Sequence, residues 1–120
     1  MNPNKIILTL VIVLIGITTI TAQHSHRKYS YIQHVKFAET SYENQNYLQA
    51  VKHYQHAMEK SGFLKEYQLY QYADAAFKVN ALNIAAEQFR AYMELDSVEM
   101  AHDAAYKLAK ISHLKGDYQN

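Results

Sequence analysis

The chain has 120 residues, with 12 Lys and Arg against 11 Asp and Glu, and it contains no cysteine. This length allows one modest domain, and the near-neutral charge provides no electrostatic basis for binding nucleic acid or an anionic membrane surface. The lack of cysteine excludes disulfides, thiolate zinc sites and a cysteine nucleophile. One proline and three glycines leave few helix breakers, which favours long helices over a sheet with many turns.

Residues 1–22 have the three-part form of a secretory signal peptide. Lys5 precedes an apolar run over Ile6–Ile20, which is shorter than the roughly 20 residues that a membrane span needs. Ala22 then offers a small residue for cleavage before Gln23. We therefore expect an exported protein, periplasmic or associated with the outer membrane, that is cleaved near Ala22/Gln23. An uncleaved N-terminal anchor is the alternative.

The rest of the chain reads as a short linker, 23–28, followed by a helical domain, 29–120. From Tyr47 to Met58, apolar residues recur at helical spacing, which predicts one buried stripe along a helix. Its members are Tyr47, Ala50, Val51, Tyr54, Ala57 and Met58, and the same offsets recur 35 residues later as Leu82, Ala85, Ala86, Phe89, Tyr92 and Met93. The predicted helices are Tyr29–Glu43, Tyr47–Ser61, Leu64–Lys78, Leu82–Leu95 and Val98–Lys115, with Gly62 as a left-handed stop after the second.

Three alanines mark equivalent positions in the first helix of each pair. Ala38, Ala73 and Ala109 are 35 and 36 residues apart, and we expect each where two helices cross closely, since only a small side chain lets the axes approach. A period in the mid-thirties with two helices per unit is typical of a helical solenoid. The predicted repeats cover about 31–63, 66–97 and a truncated 102–120.

These features resemble the tetratricopeptide repeat (TPR) family over about residues 29–120. The matching residues are Phe37-Ala38, Asn46-Tyr47, Ala50, Tyr54 and Ala57, then Tyr72-Ala73, Leu82, Ala85 and Phe89, then Leu108-Ala109 and Gly116-Asp117-Tyr118. The chain departs from the family pattern at Tyr92, at Asn80-Ala81 and in lacking the proline that usually ends a repeat. The resemblance implies an all-α, right-handed superhelical solenoid of antiparallel helix pairs, with about two and a half repeats after the signal segment. An unrelated antiparallel helical bundle is the alternative.

The resemblance also implies a concave wall, built from the first helix of each pair, that binds a protein or peptide partner. Aromatic rings mixed with both signs of charge suit an extended peptide or a partner helix. The wall lacks the run of Lys and Arg expected of a clamp for a carboxylate tail. The predicted partner-binding residues are Val35, Glu39, Tyr42, Tyr67, Tyr70, Asp74, Phe77, Lys78, Tyr106, Lys110 and His113, with Ile32 and Asp103 beside them.

Two histidine pairs have spacings at which both side chains could bind one metal ion. His24 and His26 have no third ligand nearby in the sequence, and His53 and His56 lie off the apolar stripe of their helix. We expect the first pair at an exposed N-terminus and the second on a solvated face, so no metal or other cofactor is predicted. No catalytic motif is recognisable, and we predict that the protein is not an enzyme.

The sequence thus predicts a non-enzymatic interaction module of an exported or envelope protein, similar to exported TPR proteins of Bacteroidetes-type bacteria. An alternative is that the chain forms the N-terminal repeat region of a larger envelope protein, either a sensor histidine kinase or an OmpA-like peptidoglycan-binding protein. Stacks generally need about three repeats to be stable. We therefore expect 1–120 alone to be marginally stable or to self-associate through its uncapped C-terminal repeat.

Overall fold

A computed structural model describes residues 29–96 and 99–116, together with Pro3. These residues form helices α1 (Tyr31–Glu43), α2 (Tyr47–Ser61), α3 (Glu66–Lys78), α4 (Leu82–Met93) and α5 (Ala101–Leu114), and the described ranges contain no strand. The predicted all-α class is confirmed. The predicted signal peptide and linker lie outside the described residues, and none of the helices described is long and apolar enough to cross a membrane.

The helix boundaries follow from local capping. The range of α2 is the predicted one, and its end at Gly62 has the expected left-handed conformation, with φ 68°. The first helix begins two residues later than predicted because Ser30 caps it: the Gln33 backbone N–H donates to the Ser30 hydroxyl, and Gln33 Oε1 accepts from the Ser30 backbone N–H. Gln68 accepts from the Lys65 N–H in the same way and places the start of α3 at Glu66.

Consecutive helices pack against each other as two hairpins and a fifth helix. The pairs α1–α2 and α3–α4 are joined by three-residue connections, 44–46 and 79–81, so each pair runs antiparallel. The third helix also contacts α1 and α2, and α5 packs on α4. The core therefore runs continuously from the first hairpin to α5.

The predicted stripes of α2 and α4 form much of that core. Tyr54 and Phe89, 35 residues apart, are both fully buried. Their neighbours along each stripe are also buried: Ala50, Val51 and Ala57 in α2, and Ala85, Ala86 and Tyr92 in α4. Met93, the last residue predicted for the α4 stripe, is 40% exposed because it lies at the helix end.

The alanine prediction holds for two units and is wrong for the third. Ala38 and Ala73 have no exposed surface, whereas Ala109 is exposed and Ala104 takes the buried position in α5. In the first two units a second helix follows and packs on the first. No helix follows α5 among the described residues to cover the side that carries Ala109.

The same turn ends α1, α3 and α5. Gln45, Asn80 and Gly116 have φ of 60°, 61° and 69°, and they are 35 and 36 residues apart. After the first two, the next N–H donates back to a carbonyl five residues earlier at 2.8 Å, from Asn46 to Ser41 and from Ala81 to Ala76. The repeat seen in the sequence is therefore also a repeat of backbone geometry.

Candidate functional site

The helices α1, α3 and α5 are joined by a buried polar cluster centred on Asp74. This carboxylate is 2% exposed and accepts hydrogen bonds from Tyr42 Oη at 2.6 Å, Lys78 Nζ at 2.9 Å and Lys107 Nζ at 2.6 Å. Tyr42 belongs to α1 and Lys107 to α5, so one carboxylate of α3 holds both neighbours. A buried carboxylate is stable only with such partners.

Lys107 extends this cluster along α5. Its ammonium donates to Asp103 Oδ2 at 2.7 Å and to Tyr70 Oη at 3.1 Å, besides its bond to Asp74. Tyr70 in turn donates to Asp103. We call these residues the Asp74 network: Tyr42, Tyr70, Asp74, Lys78, Asp103 and Lys107.

Hydrogen bonds within the Asp74 network shift pKa values so that Asp74 stays ionised and Lys107 stays protonated. Burial alone would raise the pKa of Asp74, but the hydrogen bonds from Lys107, Tyr42 and Lys78 hold that pKa below its ordinary value. Burial would lower the pKa of Lys107, and its hydrogen bonds to Asp103 and Asp74 outweigh that effect and raise it. Burial and the bond to Asp103 raise the pKa of Tyr70 to about 12. The tyrosines therefore act as neutral donors at physiological pH.

A second polar contact joins α1 to α3 near the start of α3. Glu39 Oε1 accepts from Tyr67 Oη and from Gln68 Nε2, both at 2.7 Å. Gln68 is buried, whereas the Tyr67 side chain is 50% exposed. The Tyr67 ring is thus held by its hydroxyl and still presents a face to solvent.

Two lysines lie over aromatic rings on this side of the molecule. Lys78 Nζ is 4.5 Å from the centroid of Tyr47 and 5.5 Å from that of Tyr42, and Lys110 Nζ is 5.8 Å from that of Phe77. These distances are within the range of cation–π attraction. Both lysines are exposed, and the contacts with the rings restrict the positions of their ammonium groups.

A groove of about 240 Å³ opens beside Tyr70. This volume is below the roughly 300–1,000 Å³ of typical ligand pockets, so the groove fits one side chain or a small group. Its lining consists of four tyrosines, two glutamates, a glutamine and a methionine: Tyr42, Tyr67, Tyr70, Tyr92, Glu66, Glu99, Gln71 and Met100.

The predicted wall residues fall into three groups by exposure. Those exposed to solvent are Tyr67, Lys78, Tyr106, Lys110 and His113, and those half-buried are Glu39, Tyr42, Tyr70 and Phe77. Val35 is 9% exposed and Asp74 is 2% exposed, so these two side chains offer almost no surface to a partner. Val35 belongs to the hydrophobic core, and Asp74 is enclosed by its own donors.

Sequence reasoning missed the residue that links the α3 part of the wall to α5. Lys107 contacts Asp74, Asp103 and Tyr70, yet it was not among the predicted residues. Its spacing of four from Asp103 is the usual signal of an ion pair on one helix face. Its spacing of 33 from Asp74 carries no such signal, because it depends on how α5 packs beside α3.

Three histidines form a separate cluster between α1 and α2. His34 Nδ1 and His53 Nδ1 are 3.1 Å apart, and the His34 and His56 rings are 5.1 Å apart. The expectation that His53 lies on a solvated face is wrong, because it packs on His34 and Phe37. Burial, followed by the nearby histidines, lowers the pKa of His34 and of His53. No group of three acidic or histidine side chains within the described ranges could hold a metal ion.

Comparison of the chain with protein-family models, with curated proteins and with solved structures finds no match.

Proposed function

We propose that the protein is a TPR-like repeat scaffold that binds a segment of another protein on the face formed by α1, α3 and α5. The observation that carries the proposal is the combination on that face of exposed rings with a rigid support. Tyr67 and Tyr106 are 50% and 65% exposed, and the helices that bear them are tied together by the Asp74 network. A face of this kind binds with little rearrangement, which lowers the entropic cost of association.

Tyr106 belongs to this face by its position on α5. It lies on the side of the helix opposite to Ala104 and Ile111, which are buried in the core. An exposed tyrosine offers a large contact area with few rotatable bonds, and tyrosine is enriched where proteins bind each other. Lys110, one turn further along α5, adds a positive charge held near Phe77.

The TPR assignment is supported by features that recur at the repeat period. The left-handed turn residues, the buried Ala38 and Ala73, and the capping glutamines Gln33 and Gln68 are all separated by 35 or 36 residues. Each helix pair supplies one surface to the next, as a stacked repeat requires. Export to the periplasm or envelope is proposed from the leader sequence alone.

A binding role is favoured over catalysis by how the ionisable groups are used. Asp74 accepts three hydrogen bonds from within the protein, and Lys107 donates to three acceptors. Both groups are therefore committed to holding helices together. A nucleophile or general base needs a free electron pair that is directed at a substrate.

The alternative is that these repeats form the N-terminal region of a larger envelope protein, such as a sensor histidine kinase or an OmpA-like peptidoglycan-binding protein. The exposed Ala109 favours it, because a small residue at this repeat position is one on which a further helix could pack. Sequencing the complete reading frame tests this alternative directly. Further repeats, a membrane span or a peptidoglycan-binding domain after residue 120 support it, and a stop codon there contradicts it.

Site-specific photo-crosslinking tests the binding face. A photoreactive phenylalanine analogue replaces Tyr106 in one variant and Glu87, an exposed residue of α4, in a matched control. On illumination of the cells that produce the protein, we expect a discrete crosslinked protein from position 106 and none from position 87. Equal crosslinking from both positions, or none from either, contradicts the proposed face.

A further inference from the structure

Negative charge lines the groove beside Tyr70. Among the described residues, its lining contains two carboxylates, Glu66 and Glu99, and no lysine, arginine or histidine. Elsewhere on the face, Asp74 and Asp103 both contact Lys107, and Glu39 is half-buried and accepts hydrogen bonds from two neutral side chains. The groove therefore presents two exposed carboxylates of the face that have no cationic partner among the described residues.

Glu66 and Glu99 have no cationic partner among the described residues. Glu66 Oε1 accepts one hydrogen bond, from the backbone N–H of Glu99 at 3.3 Å, and this contact brings the two residues together. Both side chains are exposed at the mouth of the groove, and neither forms an ion pair within the described ranges. A cation in the groove would be attracted to both carboxylates.

The aromatic lining favours the same kind of ligand. Tyr70 and Tyr92 pack edge to face with centroids 5.4 Å apart, and Tyr67 contributes a half-exposed ring held by its hydroxyl bond to Glu39. Aromatic faces carry negative charge density and attract cations. Rings and carboxylates around a space of about 240 Å³ thus form a site for a single cationic side chain.

We infer that this groove receives an arginine side chain of the bound segment, stacked on Tyr67 and paired with Glu66 and Glu99. The inference rests on the proposed function and names the chemistry of the partner. Arginine fits better than lysine, because its planar guanidinium stacks on rings and donates to two carboxylates at once. The partner is therefore a protein with an accessible basic segment.

Selection from a displayed library of random dodecapeptides on the purified protein identifies such segments without knowledge of the natural partner. We expect the enriched peptides to share an arginine. Replacing that arginine by citrulline keeps the shape of the side chain and removes its charge. We expect this change to lower the affinity of the peptide for the protein about tenfold, which is the effect of losing two partly exposed ion pairs and a cation–ring contact. This substitution leaves the protein unchanged, so its result does not depend on the folding of a variant.

Variants of the groove locate the effect. The double variant Glu66→Gln, Glu99→Gln should bind arginine-containing peptides about tenfold more weakly than the wild type. The control Glu87→Gln, which removes an exposed carboxylate of α4, should leave that affinity unchanged. Tyr67→Leu, which removes the ring, should bind arginine peptides several-fold more weakly than the wild type. Free arginine at the same concentration should not compete, because the remaining peptide contacts supply most of the affinity.

The outcomes separate the inference from the function beneath it. Peptides that bind the face but lack a shared basic residue, and that tolerate the double glutamine variant, overturn the arginine site and leave the binding role intact. A selection that enriches no peptide, together with no crosslink at position 106, overturns both. Circular dichroism of each variant checks its helix content, since Glu66 also lies in the first turn of α3, where a carboxylate stabilises the helix.

Discussion

Left-handed turn residues determine where α1, α3 and α5 end. Gln45 and Asn80 adopt φ of 60° and 61°, and Gly116, at the next equivalent position, adopts 69°. An L-residue with a β-carbon is strained by roughly 1–2 kcal/mol in this conformation, whereas glycine is not. Gln45 and Asn80 therefore carry a backbone strain that Gly116 does not.

Replacing Gln45 by glycine should therefore stabilise the protein by about 1 kcal/mol, because relief of strain exceeds the extra entropy of the unfolded chain. Chemical denaturation followed by circular dichroism measures the change. The control is Gln49→Gly on the exposed side of α2, which should cost about 0.5–1 kcal/mol. Equal losses at both positions would show that Gln45 is not strained.

The alanine that recurs in the sequence is buried between helices in the first two units and not in the third. Ala73 has no exposed surface, while Ala109, at the equivalent place in the sequence, is exposed. The two residues share a sequence pattern and differ in what lies next to them. This difference allows a direct test of the packing.

Ala73→Leu should destabilise the protein by about 2–3 kcal/mol, since the added methylenes have no space between α3 and its neighbours. Ala109→Leu should change stability by less than about 0.5 kcal/mol, because its side chain extends into solvent. Thermal or urea unfolding of both variants measures the contrast. Similar losses in the two would contradict the exposed position of Ala109.

The α1–α2 pair contains the contact between His34 and His53, which should make the stability of the protein depend on pH. The pKa of His34 and of His53 lies below the ordinary value of about 6.5, so the folded state binds fewer protons than the unfolded state near that value. Stability is then fully present above about pH 7 and falls on acidification toward the lower folded pKa. The surrounding charged groups are His56, Glu59, Lys52 and Lys60.

We expect the wild-type melting temperature to fall between pH 7.5 and pH 5.5, and His34→Gln to reduce the size of that fall. His102→Gln, which removes an exposed histidine from α5, should leave the pH dependence unchanged. Differential scanning calorimetry across this range gives the comparison. A fall of the same size in all three proteins would place its origin outside the α1–α2 contact.

At the scale of the whole molecule, the Asp74 network makes α1, α3 and α5 one body. Its bonds cross from α1 to α3 through Tyr42 and from α3 to α5 through Lys107. Hydrophobic packing holds the hairpins and α5 together, and these polar contacts add direct bonds between the first helices of the units. The shape of the proposed binding face therefore depends in part on one buried carboxylate.

Asp74→Asn should cost about 3 kcal/mol, because it leaves Lys107 partly buried with one carboxylate fewer. Hydrogen exchange should show the larger loss of protection in α5. Asp103→Asn, whose side chain is 37% exposed, should cost about 1 kcal/mol or less. Losses of equal size would mean that Asp74 is not the centre of the network.

The same carboxylate should contribute to acid unfolding. Its pKa is held below the ordinary value, so its contribution to stability is present above about pH 4 and is lost as pH falls through the lower folded pKa. Urea unfolding between pH 5 and pH 2.5 should show a smaller loss of stability for Asp74→Asn than for the wild type. Parallel losses in the two proteins would contradict this assignment.

The helices, the turns between them and the buried stripes could be predicted from the sequence, because these features depend on spacing along one chain. Tyr54 and Phe89 lie in the core as their periodicity predicts, and Gly62 ends α2 as expected. The exposure of Val35, Asp74, Ala109 and His53 could not be predicted in this way, since it depends on which helix packs alongside each of them. Lys107 shows the same limit, because a contact across 33 residues comes from packing between helices, and local periodicity carries no record of it.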